Sequence, residues 1–325
     1  MSGLLPILVA QTGLAEADVL RIVVNAPRRY KTYPISKRNG DGVRMISQPA
    51  VELKALQRVL VDEVISKLPV HSSAMAYRPG ISIRANAARH AHSGAIFKYD
   101  FKDFFPSITG ADWRAYCEKN NVLTDNFDLW LSTNVLFQQK VKGGRLTLAI
   151  GAPSSPSLSN ALMFEFDSRI ATEVENDYVT YTRYADDLTF SAERTGYLNR
   201  VDRVLRRTVR EMAHPSLEIN DKKTVRATKK YKRYVTGLVL TNDGKVSIGQ
   251  NRKRSLRAEL HHYVTGRLSP YEQARLAGKL AFVFDVEPEL FYRIQAKYGA
   301  ETISQLRAVR ASRPQVVDPD FDTEF

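Results

Sequence analysis

Thr182-Arg183-Tyr184-Ala185-Asp186-Asp187-Leu188-Thr189-Phe190-Ser191 sets two adjacent aspartates between two short runs of apolar and β-favouring residues. Residues 179–184 and 188–191 read as strands, so the segment is a hairpin with paired acids at its tip. Adjacent carboxylates raise each other's pKa unless a cation neutralises them. An Asp-Asp dipeptide by itself fits an ordinary exposed turn, and it is the flanking residues that favour a metal-binding tip. Side chains alternate along a strand, so the turn must re-aim one carboxylate if both are to serve one site.

Outward from this hairpin, Asp100 is the candidate third acid. Residues 95–100 (AIFKYD) are apolar and aromatic, hence a strand, and Phe104-Phe105-Pro106-Ser107 must leave it. Three carboxylates suit a two-metal site, where ions about 3.5–4 Å apart activate an attacking hydroxyl and stabilise a pyrophosphate leaving group. This requires the strand ending at Asp100 to lie beside the hairpin, which spacing alone does not decide.

Elsewhere the pattern is mixed. Residues 14–24 read as a short helix, followed by the basic stretch PRRYKTYPISKR and a hairpin turn at Asn39-Gly40-Asp41-Gly42. Leu53, Leu56, Leu60, Val64 and Leu68 predict an amphipathic helix over 51–68. Residues 146–150 read as a strand, broken at 151–156 before an apolar helix over 157–174. In the predicted helix 197–212, Leu198, Val201, Leu205, Val209 and Met212 form the core stripe, with Arg203, Arg206, Arg207 and Arg210 elsewhere on the helix. A second hairpin turns at Asn242-Asp243-Gly244, residues 253–297 are mainly helical, and the acidic, proline-containing tail 313–325 is expected to be disordered.

A chain of 325 residues, 43% hydrophobic and 10% aromatic, can bury the core of one to three domains. Its one cysteine, Cys117, excludes an internal disulfide, and six scattered histidines add no Cys-based zinc site. The chain has neither an apolar run of about 18 residues nor a secretory leader, which predicts a cytoplasmic protein with no membrane partner. Residues 200–260 hold 17 Lys/Arg against 6 Asp/Glu, so most of the net charge of +13 sits there. With Tyr231 and Tyr234 interleaved, this is the electrostatic footprint of a phosphate-backbone partner.

TRYADDLTFS resembles the signature of reverse transcriptases, and other segments follow that family's order. FKYDFKDFFPSI resembles its first catalytic motif, GAPSSPSLSN the nucleotide-side motif, EINDKKT the lysine-bearing loop and VTGLVL the primer-gripping segment. The resemblance implies an α+β right-hand polymerase. Residues 1–95 would form an N-terminal helix and fingers, and 96–240 an antiparallel palm with part of the fingers inserted around 115–150. Residues 241–312 would form a small helical thumb. It further implies two Mg²⁺ ions, for which Mn²⁺ can substitute, on Asp100, Asp186, Asp187 and the Phe101 backbone. Lys223 would be the general acid, with adjacent Lys222 as the alternative. Lys37, Arg44, Asp103, Phe104, Phe105 and Gly151 would surround a deoxynucleoside triphosphate, with Phe105 as a gate against a ribose 2′-hydroxyl. One departure is Ile150, where many relatives carry Gln, and it suggests altered fidelity or sugar contact.

Asn86-Ala87-Ala88-Arg89-His90 and Val235-Thr236-Gly237 resemble elements of the bacterial retron enzymes. This implies an RNA-directed DNA polymerase that copies a structured noncoding RNA, primes from a guanosine 2′-hydroxyl to give branched RNA-linked DNA, and works with an effector protein in phage defence. Candidate RNA-binding residues are Asn86, His90, Arg206, Arg210, Lys229, Lys230, Arg233, Val235, Thr236, Gly237, Arg252 and Arg254. The alternatives are a group II intron-like or diversity-generating enzyme, or an RNA-binding scaffold without catalysis. No RNase H or endonuclease region is expected in the residues after Asn251.

Overall fold

The computed structural model describes residues 3–36 and 42–309. Lys37, most of the turn predicted at 39–42 and the tail 313–325 lie outside them. The described residues divide into two compact units, one drawn from residues 3–82 and 93–231 and the other from residues 83–92 and 232–309. Residues 83–92, read from sequence as part of the fingers, thus pack with the C-terminal unit.

The first unit contains a hairpin of β1 (Tyr30–Ser36) and β2 (Val43–Pro49), paired from Tyr30↔Pro49 to Ser36↔Val43. Its centre is an antiparallel sheet that includes β3 (Ala95–Asp100). Two short strands, β4 (Gln138–Gln139) and β5 (Leu146–Thr147), pair separately. The sheet is completed by β6 (Thr180–Tyr184), β7 (Asp187–Ala192) and β8 (Val225–Thr228), in the order β6-β7-β3-β8. The central strands are buried along nearly their whole length, because Tyr99, Tyr181 and Phe190 pack ring on ring within a core that also holds Phe166, Ile170, Val204 and Leu205. Burying rings of this size is the main driving force holding the sheet to its helices.

Several predicted helices end where local chemistry dictates. The helix from Val51 stops at Glu63, short of the predicted 68: Val64 leaves the helical region at φ −122°, ψ −62°, a single tight turn Ile65–Lys67 follows, and Leu68, which precedes a proline, is extended at φ −78°, ψ 147°. The predicted 157–174 helix is two, Ser155–Leu162 and Phe164–Glu175, hinged at Met163. The first starts early because Pro156 is well suited to a first turn. Helices Leu4–Thr12, Gly110–Asn120 and Asn126–Leu136 were not anticipated. The second carried a legible start, since Thr109 and Asp112 form a reciprocal capping box.

In the second unit, β9 (Arg233–Val235), β10 (Leu238–Leu240) and β11 (Val246–Ser247) form a meander on which the helix Ile83–Arg89 packs. The β10–β11 turn needs Gly244, whose φ is +79° and whose added Cβ would meet the His92 ring at 2.5 Å. Helices Gln250–Val264, Pro270–Val286, Pro288–Tyr298 and Ala300–Ala308 follow, buried on Leu256, Leu260, Leu276, Leu280, Leu290 and Ile303. No helix among the described residues is long and apolar enough to cross a membrane.

Candidate active site

All of the acidic residues singled out above lie in the first unit. The β6–β7 ladder closes on Tyr184↔Asp187, leaving a two-residue tip of Ala185 and Asp186. Ala185 takes φ +57° and is buried, a conformation disfavoured for a residue with a Cβ. What holds it there is Arg183, fully buried beneath the turn. Its Nη1 donates to the Ala185 carbonyl at 3.2 Å, while Nε and Nη2 grip Asp167 at 2.8 and 2.7 Å. Tyr181 adds a 2.8 Å hydrogen bond to the same carboxylate.

The β3–β7 register ends on Asp100↔Asp187, so these two side chains project from directly opposed positions on one face of the sheet. The Phe101 amide donates to the Asp186 carbonyl at 3.1 Å, tying the tip to the same strand end. Asp186 feels the crowding. Burial, then the charges of Asp100 and Asp187, push its carboxyl up to about 6. Asp187 is also raised, first by burial, with Asp100 raising it and Lys98 and Lys223 opposing.

Lys223 ends a short turn at Asp221–Lys223, and its Nζ donates to Asp100 Oδ1 at 2.8 Å. Of the two adjacent lysines, it is the one that reaches the acids. The Asn220 amide donates to the Asp100 carbonyl at 2.8 Å, aligning this loop with β3. Among the described residues no three His, Cys, Asp or Glu side chains stand in a ready-made cation cage; Asp100 is held by Lys223 instead. The donor set nevertheless fits a hard divalent cation, since it is all oxygen and carries surplus negative charge that raises its own protonation.

Around these acids, Asp103 is exposed with φ +46° and starts the single turn Phe104–Ser107. Phe104 is core, stacked on Phe101 at 5.8 Å, so its ring offers no surface to a ligand. Phe105 is half-buried. Gly151 takes φ +121°, and a Cβ there would lie 2.9 Å from Ile46 Cγ2 and 3.1 Å from the Ser47 carbonyl. The loop bearing it lies close against β2, where the Ser47 amide donates to the Ile150 carbonyl at 2.7 Å. Arg44 is exposed on the same strand.

Residues 35–240 match the family model described as reverse transcriptase (RNA-dependent DNA polymerase). The chain is 34% identical to the retron Ec83 reverse transcriptase of Escherichia coli, over 86% of this chain and 89% of that one. It is 32% identical to the Escherichia coli retron Ec86 enzyme over 89% of each chain, and 34% identical to the Myxococcus xanthus retron Mx65 enzyme over 82% of this chain and 64% of that one. The chain belongs to the retron reverse transcriptases. It is therefore an RNA-directed DNA polymerase with a right-hand fold.

The retron polymerase assembles its two subfamily motifs within the second unit. Thr236, at φ +47°, donates its hydroxyl to the Ile83 carbonyl at 3.1 Å, joining the turn after β9 to the start of the helix that carries Asn86. Gly237, at φ +77°, accepts from Arg252 Nη1 at 2.9 Å. This corrects the expectation of direct RNA contact for four residues. Asn86, His90, Arg233 and Val235 are buried and present no side-chain surface to a partner. Val235 is apolar core, Arg233 donates to the Thr241 carbonyl at 2.8 Å, and both amide atoms of Asn86 lack a hydrogen-bond partner among the described residues.

Other basic residues divide by their surroundings. Arg206 is paired with both Asp202 and Asp221, and neighbouring Arg200 and Arg207 with Asp177 and Glu173. Arg210, Lys229, Lys230, Arg252 and Arg254 are exposed. Arg183 and Asp167, the clamp under the acidic turn, were missed at the sequence level. A lone Arg inside an apolar strand was their only signal.

Proposed function

We propose that this polymerase copies a structured noncoding RNA into single-stranded DNA, starting from the 2′-hydroxyl of a guanosine in that RNA to give a branched, RNA-linked product. The catalytic assignment rests on one observation, that the strand register sets Asp100 opposite Asp187, ties Asp186 to the same strand end and brings Lys223 onto Asp100. In this reading Asp100, Asp186, Asp187 and the Phe101 carbonyl hold two Mg²⁺ ions, with Mn²⁺ able to replace them. Bound there, divalent ions favour ionisation of the attacking hydroxyl and stabilise charge on the leaving pyrophosphate.

Lys223 holds the proton that pyrophosphate needs. Burial lowers its pKa, but the hydrogen bond to Asp100 and the fields of Asp186 and Asp187 raise it by more, so the ammonium stays charged at neutral pH. Phe105 limits space beside the sugar and selects deoxynucleotides. Arg44, with Lys37 outside the described residues, neutralises the triphosphate, which Asp103, the Phe104–Phe105 backbone and Gly151 border. Arg210, Lys229, Lys230, Arg252 and Arg254 meet RNA phosphates and 2′-hydroxyls. Membership of the retron family supports a reading in which the protein works in the cytoplasm, in phage defence, with its RNA–DNA product and an effector protein as partners.

The test is reconstitution. Protein incubated with the RNA encoded beside its gene, Mg²⁺ and dNTPs should give DNA attached through a 2′ linkage, and Asp186→Asn or Asp187→Asn should abolish it. Extension solely from 3′ ends would overturn the priming assignment.

A further inference from the structure

Tyr77 stands in a conformation that bulky residues rarely take. Its φ is +59°, and 45% of the residue is exposed. Its neighbours impose this. Ala74 bridges in parallel to Arg183, the Met75 amide donates to the Arg183 carbonyl at 2.7 Å, Asn160 Nδ2 donates to the Ala76 carbonyl at 2.8 Å, and Arg78 Nη1 donates to the Ala74 carbonyl at 3.1 Å. The segment is thus tied to β6, which leads into the acidic turn, and to the helix that follows Gly151. Backbone strain persists only where surrounding contacts over-determine it, and it gathers at functional sites.

The ring delivered by this strained position lies against Phe105, with centroids 6.3 Å apart and planes tilted by 46°. Phe104 contacts Phe105 too, at 5.4 Å. The phenol also senses the site electrostatically: burial raises its pKa, Asp186 and Tyr184 raise it further, and Arg44 and Arg183 draw it down. No hydrogen bond reaches its hydroxyl among the described residues. Tyr77 therefore stands beside the residue assigned to sugar selection, within the fields of one proposed metal ligand and one proposed triphosphate cation.

We propose that Tyr77 is a specificity-determining residue whose ring braces Phe105, so that Phe105 does not tilt away when a ribose 2′-hydroxyl presses on it. This rests on the assignment of Phe105 as the sugar gate. The function belongs to the ring, and the hydroxyl is dispensable for it.

The experiment measures kcat/KM for a dNTP and the matching rNTP on a primed RNA template, using the full chain. Phe105→Ala should lower the deoxy-over-ribo ratio about a hundredfold and Tyr77→Gly about tenfold, the order expected when a wall of an apolar pocket is lost or loosened. Tyr77→Phe should keep the wild-type ratio. Glycine adopts φ +59° freely, which offsets part of the packing lost with the ring, so Tyr77→Gly should melt within a few degrees of wild type, and its loss of selectivity is then separable from misfolding. In the double variant Phe105→Ala/Tyr77→Gly, the second change should add nothing. A wild-type ratio in Tyr77→Gly alongside a collapsed ratio in Phe105→Ala overturns the brace alone. So does an equal loss in Tyr77→Phe, or full additivity in the double variant. A wild-type ratio in Phe105→Ala removes the gate assignment itself.

Discussion

Asp186 keeps its proton to about pH 6, well above the ordinary carboxylate range, because it is partly buried beside Asp100 and Asp187. A raised carboxyl destabilises the metal-free fold once it ionises. Below about pH 4 the folded and unfolded states are both protonated and this residue adds no penalty; between about pH 4 and 6 the unfolded chain ionises first, and stability falls. Above about pH 6 the loss is complete, about 1–2 kcal/mol after allowance for partial exposure. Asp186→Asn should thus raise the melting temperature of EDTA-treated protein at pH 7 by about 2–4 °C and flatten its dependence between pH 4 and 6. Mg²⁺ should stabilise the wild type and leave the variant nearly unmoved. Thermal melts across pH, with and without Mg²⁺, would check both. The paired acids were evident in sequence, but their crowding came into view only when β3 was set beside β7.

At the scale of the element, the β6–β7 turn owes its shape to a residue outside it. Ala185 holds φ +57° while the Arg183 guanidinium spans its carbonyl and the buried carboxylate of Asp167. Lysine cannot make that fork. Arg183→Lys should therefore cost about 1–3 kcal/mol in chemical denaturation, because a cation still faces Asp167 while hydrogen bonds of the fork are lost in a buried site. Its single-turnover rate should fall about a hundredfold with little change in dNTP affinity, because the acids are displaced and not removed. Adding Ala185→Gly, which accepts the left-handed conformation unaided, should recover part of the rate but not the stability. Failure of that rescue would mean that Arg183 acts otherwise than through the turn. The hairpin itself was legible from its apolar strands. Its clamp was not, because a buried Arg looks like any other until its partner, 16 residues earlier in the chain, is found against it. The helix over 157–174 was legible as apolar periodicity, whereas its break at Met163 depends on packing that periodicity does not record.

Across the whole molecule, positive charge and available positive charge are different quantities. The basic stretch seen in sequence includes a helix, Val201–Glu211, whose Arg206 and Arg207 are already paired with acids, while Arg254 on the helix Gln250–Val264 is exposed. A cation that neutralises a phosphate contributes about one to the slope of log affinity against log salt. Affinity for the cognate RNA should fall steeply with salt. Arg254→Ala should lower the slope by about one, and Arg206→Ala by less than half as much, because the Arg206 charge is already taken up by Asp202 and Asp221 and displaces few counterions from the RNA. Filter binding across a salt series checks this, and equal slopes for the two variants would refute it.

Local chemistry by itself determined the acidic hairpin, the strand ending at Asp100, the lysine-bearing loop and the order of motifs, because each depends on residues a few positions apart. Only the tertiary structure decided that Asp100 lies opposite Asp187, that Lys223 is the lysine reaching it, that Arg183 and Asp167 support the tip, and that Tyr77 meets Phe105. It also decided that Asn86 and Val235 belong to an interior. The physical reason is the same throughout: register and burial are set by the packing of segments distant in the chain, and a side chain's charge, exposure and partner follow from that packing.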